Sequence, residues 1–344
     1  MARERFTIAT FNLRNLNEPG LDMYGRDGWT ADEYGEKIAF TARMFKILPS
    51  DVWAFQELWH AASLDRALAD AGLSADYTAL VPDAHAGGMI VCAAAVRKEI
   101  LVGEPEWISR FPEGLVLSSG GDDPQTEKIF ISLSSFSRPV LHFRIQPSDR
   151  ATPIHVYVCH FKSKGPTRIF REPWYQRDVH SKHSGAIGGA LSTIRRTAEA
   201  TALRFMLTGR MKGTDEPVIV LGDINDGTLS NTMNILTGQP RFLVGESRGG
   251  GDIDLYTAQT LQEYRSTRDV YYTHIFNNNY ESLDQLLVSR ELYDNSRNRV
   301  WAFDGLDIVN DHLHYDPKHE QGTSDHGVVR VTFKLDPARG AETG

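Results

Sequence analysis

Cysteine is scarce, with two in 344 residues. That excludes a disulfide framework, and no spacing here matches a zinc site. Cys92 and Cys159 lie in the apolar runs MIVCAAAV and IHVYVC, so both are expected to be buried, reduced thiols. Long apolar runs are missing too. None approaches the roughly 20 residues of a membrane-spanning helix, and no stable membrane association is expected. Met1-Ala2-Arg3-Glu4-Arg5 leads directly into a strand-like segment, without an apolar leader core or a small-residue cleavage pattern. The expectation is a cytoplasmic protein, or a secreted one if a leader was removed. Repeats, low-complexity tracts and Pro/Ser-rich linkers are absent, which points to one domain over residues 1–344 with 336–344 as a flexible tail. Basic charge is lacking overall: the net charge is -8, which argues against gripping duplex nucleic acid by charge alone. The distribution differs from the total. Residues 160–200 hold eight Lys and Arg against three Asp and Glu, enough local positive charge to capture phosphate.

What is present reads as an α/β chain. At 41% hydrophobic residues there is ample material for a large core. Strands are expected at 5–11, 51–56, 89–97, 154–160, 217–223, 270–276, 283–289 and 327–334. The runs MIVCAAAVR and IHVYVCH are apolar throughout, as strands covered on both faces are. Helices are expected at 31–48, with Thr30 as N-cap, at 61–71 and at 186–210. Residues 14–30 and 161–185 read as loops, and 127–133 with 139–145 as a hairpin. Strands alternating with helices, some of them antiparallel neighbours, indicate mixed sheets packed together with helices outside.

Five places share one feature: a buried strand meets a polar residue that a core would not accept. They are Asn12 after TIATF, Glu57 after VWAFQ, His160 after HVYVC, Asp223 and Asn225 after VIVLG, and Asp325-His326 before GVVRV. A sixth, Asp284, lies inside SLDQLLV. Each alone is most simply a turn former, a helix cap or a satisfied structural side chain. As an ordered set they supply the carboxylates, amides and histidines that phosphoryl chemistry uses. A Mg²⁺ ion keeps several waters and takes few protein ligands, so one or two carboxylates suit it. A His backed by Asp has a fixed tautomer and serves in proton transfer or as an electrostatic clamp.

The order FNLRNL, QELW, CHFKSK, GDIND, SLDQLL, SDHGVV resembles the endonuclease/exonuclease/phosphatase superfamily, over residues 6 to 333. That superfamily includes DNase I, abasic-site endonucleases, sphingomyelinases and inositol-polyphosphate phosphatases. The resemblance implies a four-layer α/β sandwich of two mixed sheets flanked by helices, with the site at the strand ends. It implies a metal-dependent phosphodiesterase using Mg²⁺ or Mn²⁺. Glu57 and Asp325 match metal-binding carboxylates. Asn12 and Asn225 match amides that hold phosphate oxygens or the metal's water shell. Asp223 matches the carboxylate that orients or deprotonates the attacking water. His326 matches the histidine of the last motif, with Asp284 as its partner, and His160 a residue that stabilises the charged transition state. Asp223 and the Asp284–His326 pair both remain candidates for the general base. One departure is Arg14, which stands where abasic-site enzymes carry a second metal-binding aspartate, whereas DNase-like members have a basic residue there.

Substrate clues centre on FKSKGPTRIFREPWYQRDVHSKHS, which gathers Lys162, Lys164, Arg168 and Trp174 near His160. Bases interleaved with aromatics suit phosphate contacts plus base stacking, though a solvated loop anchored by its aromatics has the same composition. Arg196 resembles an arginine that faces the site in bacterial nucleases of the superfamily. YYTHIFNNNYESLDQLLVS likewise resembles secreted members. A nuclease acting on DNA or RNA is therefore the first expectation. The alternatives are a phosphatase or phosphodiesterase acting on a small soluble or lipid phosphoester, and a binding protein that kept the fold and lost catalysis. His312, His314 and His319 show no ligand spacing and read as a polar loop.

Overall fold

The computed structural model describes residues 4–83, 85–121, 125–240, 251–266, 272–314 and 322–338. Its elements begin with β1 (Arg5–Leu16), α1 (Ala31–Ile47), β2 (Val52–His60), α2 (Ala61–Ala71), β3 (Tyr77–Leu80) and β4 (Ala86–Arg97). Next are β5 (Leu101–Arg110), β6 (Ser118–Ser119), β7 (Ile129–Phe130), β8 (Ser135–Ile145) and β9 (Ile154–His160). The chain continues through α3 (Arg177–His180), α4 (Ser184–Met211), β10 (Val218–Asp223), α5 (Asn231–Thr237), β11 (Tyr256–Thr257) and α6 (Ala258–Arg265). It closes with β12 (His274–Phe276), β13 (Asn279–Glu281), β14 (Asp284–Val288), β15 (Trp301–Val309) and β16 (Val328–Leu335).

Two six-stranded sheets form, in the orders β15-β16-β1-β2-β4-β3 and β11-β14-β10-β9-β8-β5. Each is mixed, with one parallel pair at its centre: β1 with β2, and β9 with β10. Side-chain alternation builds the layers. Ile8, Val52, Ala54, Cys92 and Ala94 of the first sheet face Val156, Val158, Ile219 and Leu221 of the second. The residues between them point the other way. Trp53, Phe55 and Ala93 pack against Phe40 and Phe45 of α1 and Leu64 of α2. Tyr157, Cys159 and Val220 pack against Leu203 and Leu207 of α4 and Met233 of α5. The order helix, sheet, sheet, helix is the expected four-layer sandwich, and it explains why these strands are apolar on both faces. Both cysteines are buried and free, on opposite faces of their sheets. Among the described residues no helix is long and apolar enough to cross a membrane.

Thr30 caps α1 as expected, in a reciprocal capping box with Glu33. Three expectations need correction. Residues 127–133 and 139–145 do not pair: β7 pairs with β6, while β8 runs between β5 and β9. Strands β5 and β8 find each other across a 24-residue connection, which no local turn signal announces. The loop 161–185 contains the short helix α3, and α4 already begins at Ser184. Strands β1 and β2 run beyond residues 11 and 56 by passing through register shifts. Of the strand expected at 270–276 only His274–Phe276 is seen, with residues 267–271 outside the described residues. Residues 339–344 of the expected tail and His319 also lie outside them.

Candidate active site

The parallel strands β1, β2, β9 and β10 end at the same edge of the sandwich, and the antiparallel β14 and β16 begin there. Register does the alignment: Asp223 is opposite both His160 and Asp284 in the second sheet. The backbone at this edge is unusual. Arg14, Asn15, Glu57 and Asn225 all have positive φ, between 47° and 61°. Left-handed conformations in non-glycine residues persist only where surrounding contacts hold them, and they concentrate at functional sites. Here the turn at residues 14–15 places the Asn15 N–H 3.0 Å from Glu57 Oε2, and the kink at Glu57 swings its carboxylate out of the ladder. Gly222 is required by geometry as well: with φ of 133°, a Cβ there would lie 2.1 Å from the Cys159 carbonyl oxygen.

Asp223 Oδ2 is the hub. It accepts from Asn12 Nδ2 at 3.0 Å and lies 3.5 Å from His160 Nε2 and 3.9 Å from His326 Nε2. Its other oxygen accepts from the Asn225 N–H at 2.9 Å. Burial, with Asp284 and Glu57 nearby, pushes the Asp223 carboxyl up to about 7, although His326 opposes the shift. His326 Nδ1 donates to Asp284 Oδ2 at 2.7 Å. Against the effect of burial, the carboxylates of Asp284, Asp223 and Asp325 raise His326 well above the ordinary histidine range, so it is held as an imidazolium. His160 goes the other way: burial, then Arg138 and His326, drive it well below that range and keep it neutral. Glu57, 3.9 Å from His160 Nε2, is raised by burial and by Asp325. Ser324 ties the last motif to β1 by donating to the Asn12 carbonyl at 2.7 Å and accepting from the His326 N–H at 3.0 Å.

These groups open into a pocket of about 530 Å³. Glu57, His160, Asp223, Asn225, Asp325 and His326 line it, with Lys164 at its rim between Glu281 (2.6 Å) and Asp226 (3.5 Å). Asp284 stands behind His326. Three sets of side chains bring candidate ligand atoms within 4.8 Å of one another: Glu57, His160 and Asp223; His274, Asp325 and His326; and Asp223, Asp284 and His326. A divalent cation fits the chemistry. Buried carboxylates that repel each other lose that cost when a cation sits among them, and Glu57 has no Lys or Arg within 4 Å among the described residues.

Not every expected residue arrives where the sequence put it. Asn12 turns its amide oxygen to the Arg14 N–H (2.9 Å) and its nitrogen to the carboxylates. In this orientation it presents a donor to the carboxylates of Asp223 and Glu57. Arg14 lies behind Asp325, with Nε 3.8 Å from Oδ1. Arg196 is 4% exposed and committed to Asp226 and the Lys162 carbonyl, both at 3.1 Å, so it supports the loop from beneath. Arg168 and Trp174 are exposed and do not line the pocket; Trp174 packs edge-on against His180. Lys162 lines an adjoining cleft. Of the three histidines in the late loop, His312 is turned inward, with Nε2 2.8 Å from the His326 carbonyl.

Sequence reasoning missed Tyr24, Arg138, His274 and Lys37. Tyr24 and Arg138 line the pocket from segments without a motif, and His274 lines it from the YYTHIF stretch, where it was not singled out. Lys37 is buried on α1, donates to the Thr323 carbonyl at 2.9 Å and lies over the Trp29 ring, bracing the turn that carries Asp325. Its burial was masked by the helical period, in which a lysine reads as a surface residue.

A profile of the Endonuclease/Exonuclease/phosphatase family matches residues 9–326. Among curated proteins none matches the sequence. Solved structures are similar at low identity. The human Nocturnin catalytic domain with bound sulfate is 14% identical, with 97% of this chain and 96% of that one covered and a TM-score of 0.56. An endonuclease/exonuclease/phosphatase from Bacteroides vulgatus is 12% identical, with 97% and 100% covered and a TM-score of 0.55. D. rerio TDP2 complexed with a single-strand DNA product is 14% identical, with 97% and 100% covered and a TM-score of 0.54. With a profile match over nearly its whole length and the matching sandwich, the chain belongs to the endonuclease/exonuclease/phosphatase family.

Proposed function

We propose that this protein is a divalent-metal-dependent phosphodiester hydrolase, with one catalytic domain, that cleaves nucleic acid. The observation that carries the reading is the convergence of Glu57, His160, Asp223, Asp325 and the Asp284–His326 pair on one open pocket. Glu57 and Asp325 would hold Mg²⁺ or Mn²⁺, which when bound neutralises charge on the phosphoryl and leaving oxygens. Asp223 has one oxygen fixed by the Asn225 N–H and the other oriented by Asn12, so it is placed to orient the attacking water and take its proton. His326 is given a different part, because its neighbouring carboxylates favour the imidazolium, which has no lone pair on Nε2 to take the proton. The imidazolium instead stabilises charge as it builds on the phosphoryl oxygens. His160, neutral and 3.5 Å from Asp223, offers a further hydrogen bond there.

The bound sulfate of Nocturnin and the single-strand DNA product of TDP2 support a phosphate-binding pocket on this fold and a nucleic-acid substrate. A small phosphomonoester fits less well, because the pocket is continuous at Tyr24 and Arg138 with a second cleft. The test is hydrolysis of bis-p-nitrophenyl phosphate, plasmid DNA, single-stranded DNA and RNA, with Mg²⁺, Mn²⁺ or EDTA. Metal-dependent cleavage of a polymer, lost in Glu57→Ala, supports the reading. Cleavage of bis-p-nitrophenyl phosphate alone, with every polymer left intact, refutes the nucleic-acid substrate.

A further inference from the structure

Beside the catalytic pocket lies a cleft of about 630 Å³, a size that suits one nucleotide-sized ligand. Tyr24 and Arg138 line both spaces, so the two join at these residues. The second cleft adds Trp59, Met89 and Lys162, and one carboxylate, Asp22.

Its two cations are held by carbonyl and hydroxyl oxygens. Arg138 donates to the Phe161 carbonyl at 3.3 Å, and Lys162 Nζ to the Ser163 carbonyl and hydroxyl and the Gly165 carbonyl, at 3.0–3.3 Å. Among the described residues neither has a carboxylate within 4 Å. Their mutual repulsion is held in place by Glu199. That fully buried side chain of α4 accepts the Ser137 N–H at 2.8 Å on one oxygen and the Lys162 N–H at 2.7 Å on the other. The clamp fixes the backbone beside both cations. Burial and Arg138 lower the Lys162 ammonium from its ordinary range, the effect an anion between them would reverse.

The cleft's aromatic wall is also held against a cost. Met23 and Arg26 exchange backbone hydrogen bonds at 3.0 and 3.2 Å around Tyr24-Gly25, whose φ angles are 57° and 73°. Two positive φ values mark a type I′ turn, where Gly, Asn and Asp are the favoured residues and a bulky ring is not. The strained position keeps the Tyr24 ring 61% exposed, at the junction of the two spaces. Trp59 braces it edge-on at 5.0 Å, and Trp59 is itself fixed by its indole N–H to Asn15 Oδ1 at 2.9 Å. Across this cleft Met89 is 60% exposed next to Gly88, which adds no side chain.

We propose that this cleft holds the nucleotide next to the scissile phosphate of a single-stranded substrate. Arg138 and Lys162 take its phosphate, and Tyr24 and Met89 take its base. A base must leave the duplex stack to lie on an aromatic ring, so the cleft selects single strands. The assignment rests on the phosphodiesterase reading and names its substrate more narrowly.

The test is binding of a fluorescein-labelled single-stranded hexanucleotide in EDTA, followed by anisotropy across a salt series. Tyr24→Ala should weaken binding about tenfold with the salt slope unchanged, because stacking releases no counterions. Lys162→Met should weaken it and lower the slope of log K against log salt by about 0.7, with Lys162→Arg restoring the slope. Equal binding by wild type and both variants, while the wild type still hydrolyses bis-p-nitrophenyl phosphate, overturns the cleft assignment alone. Binding that responds to the variants, in a protein that cleaves no diester with Mg²⁺ or Mn²⁺, overturns the catalytic reading and with it the cleft's place beside a scissile bond.

Discussion

At the scale of single residues, the site depends on where each hydrogen-bonding group is committed. Asp223→Asn keeps the shape but removes the proton acceptor, so turnover is expected to fall about 10²–10⁴-fold, the usual worth of a positioned acid or base. His326→Gln should fall similarly, since it removes the charge paired with Asp284. Steady-state kinetics alongside near-ultraviolet circular dichroism separates a lost role from a lost fold; normal turnover in either variant contradicts its assignment. Ser324 is different, because it is 1% exposed and serves two backbone groups. Ser324→Ala leaves both unpaired and should cost about 1–3 kcal/mol in urea unfolding. An unchanged midpoint would mean that those groups find other partners. The chemistry-bearing residue types were legible because polar side chains interrupt apolar strands. Their orientations were not. Nothing in the string FNL says that Asn12 turns its nitrogen inward, since that follows from a backbone bend at residues 14–15.

At the scale of elements, the central strands were legible for a physical reason. A strand covered on both faces must be apolar at every position, and such runs are hard to mistake. What failed was pairing across distance. The expected hairpin joined neighbours in sequence, whereas β8 pairs with β5 and β9. Arg138 escaped notice for the same reason, because its importance comes from the start of β8 lying beside the end of β9. Close strand contact also makes Gly222 irreplaceable: Gly222→Ala combines a positive φ with a clash against Cys159 and should cost roughly 3 kcal/mol or more. A variant as stable as wild type would refute the close approach. On the outer face of β8 and β9, His142 Nε2 lies 2.9 Å from His155 Nδ1, with Tyr157, Glu106, Glu216, Arg144 and Arg210 around them. Burial first, then neighbouring charges, pushes both imidazoles down to about 4. The unfolded chain protonates near 6.5, so between 6.5 and 4 it binds more protons than the folded one. Their contribution is intact above about pH 6.5 and lost as pH falls toward 4. Thermal unfolding against pH should show that slope, and His142→Phe should flatten it while keeping the stack on Tyr157. An equally steep slope in the variant would assign the acid sensitivity to other groups.

At the scale of the molecule, the proposed function sets a local basic face on an acidic protein. The net charge of -8 repels nucleic acid at long range, while Lys162 and Arg138 act within a Debye length of the pocket. The sequence showed this excess between residues 160 and 200 but not how it is divided. Arg196 braces the loop, Lys164 guards the rim, Lys162 faces the second cleft, and Arg168 and Trp174 remain outside. Four-layer packing was legible from the two-faced strands, whereas the junction of the two clefts arises only when Tyr24 and Arg138, far apart in sequence, meet. The most direct test of the central claim is cleavage of single-stranded DNA and RNA by the purified protein with Mg²⁺ or Mn²⁺, before and after EDTA, with Glu57→Ala alongside. Cleavage that EDTA abolishes, that returns with added metal, and that the variant lacks is the expected result. Cleavage that persists in EDTA, or in folded Glu57→Ala at the wild-type rate, would contradict it.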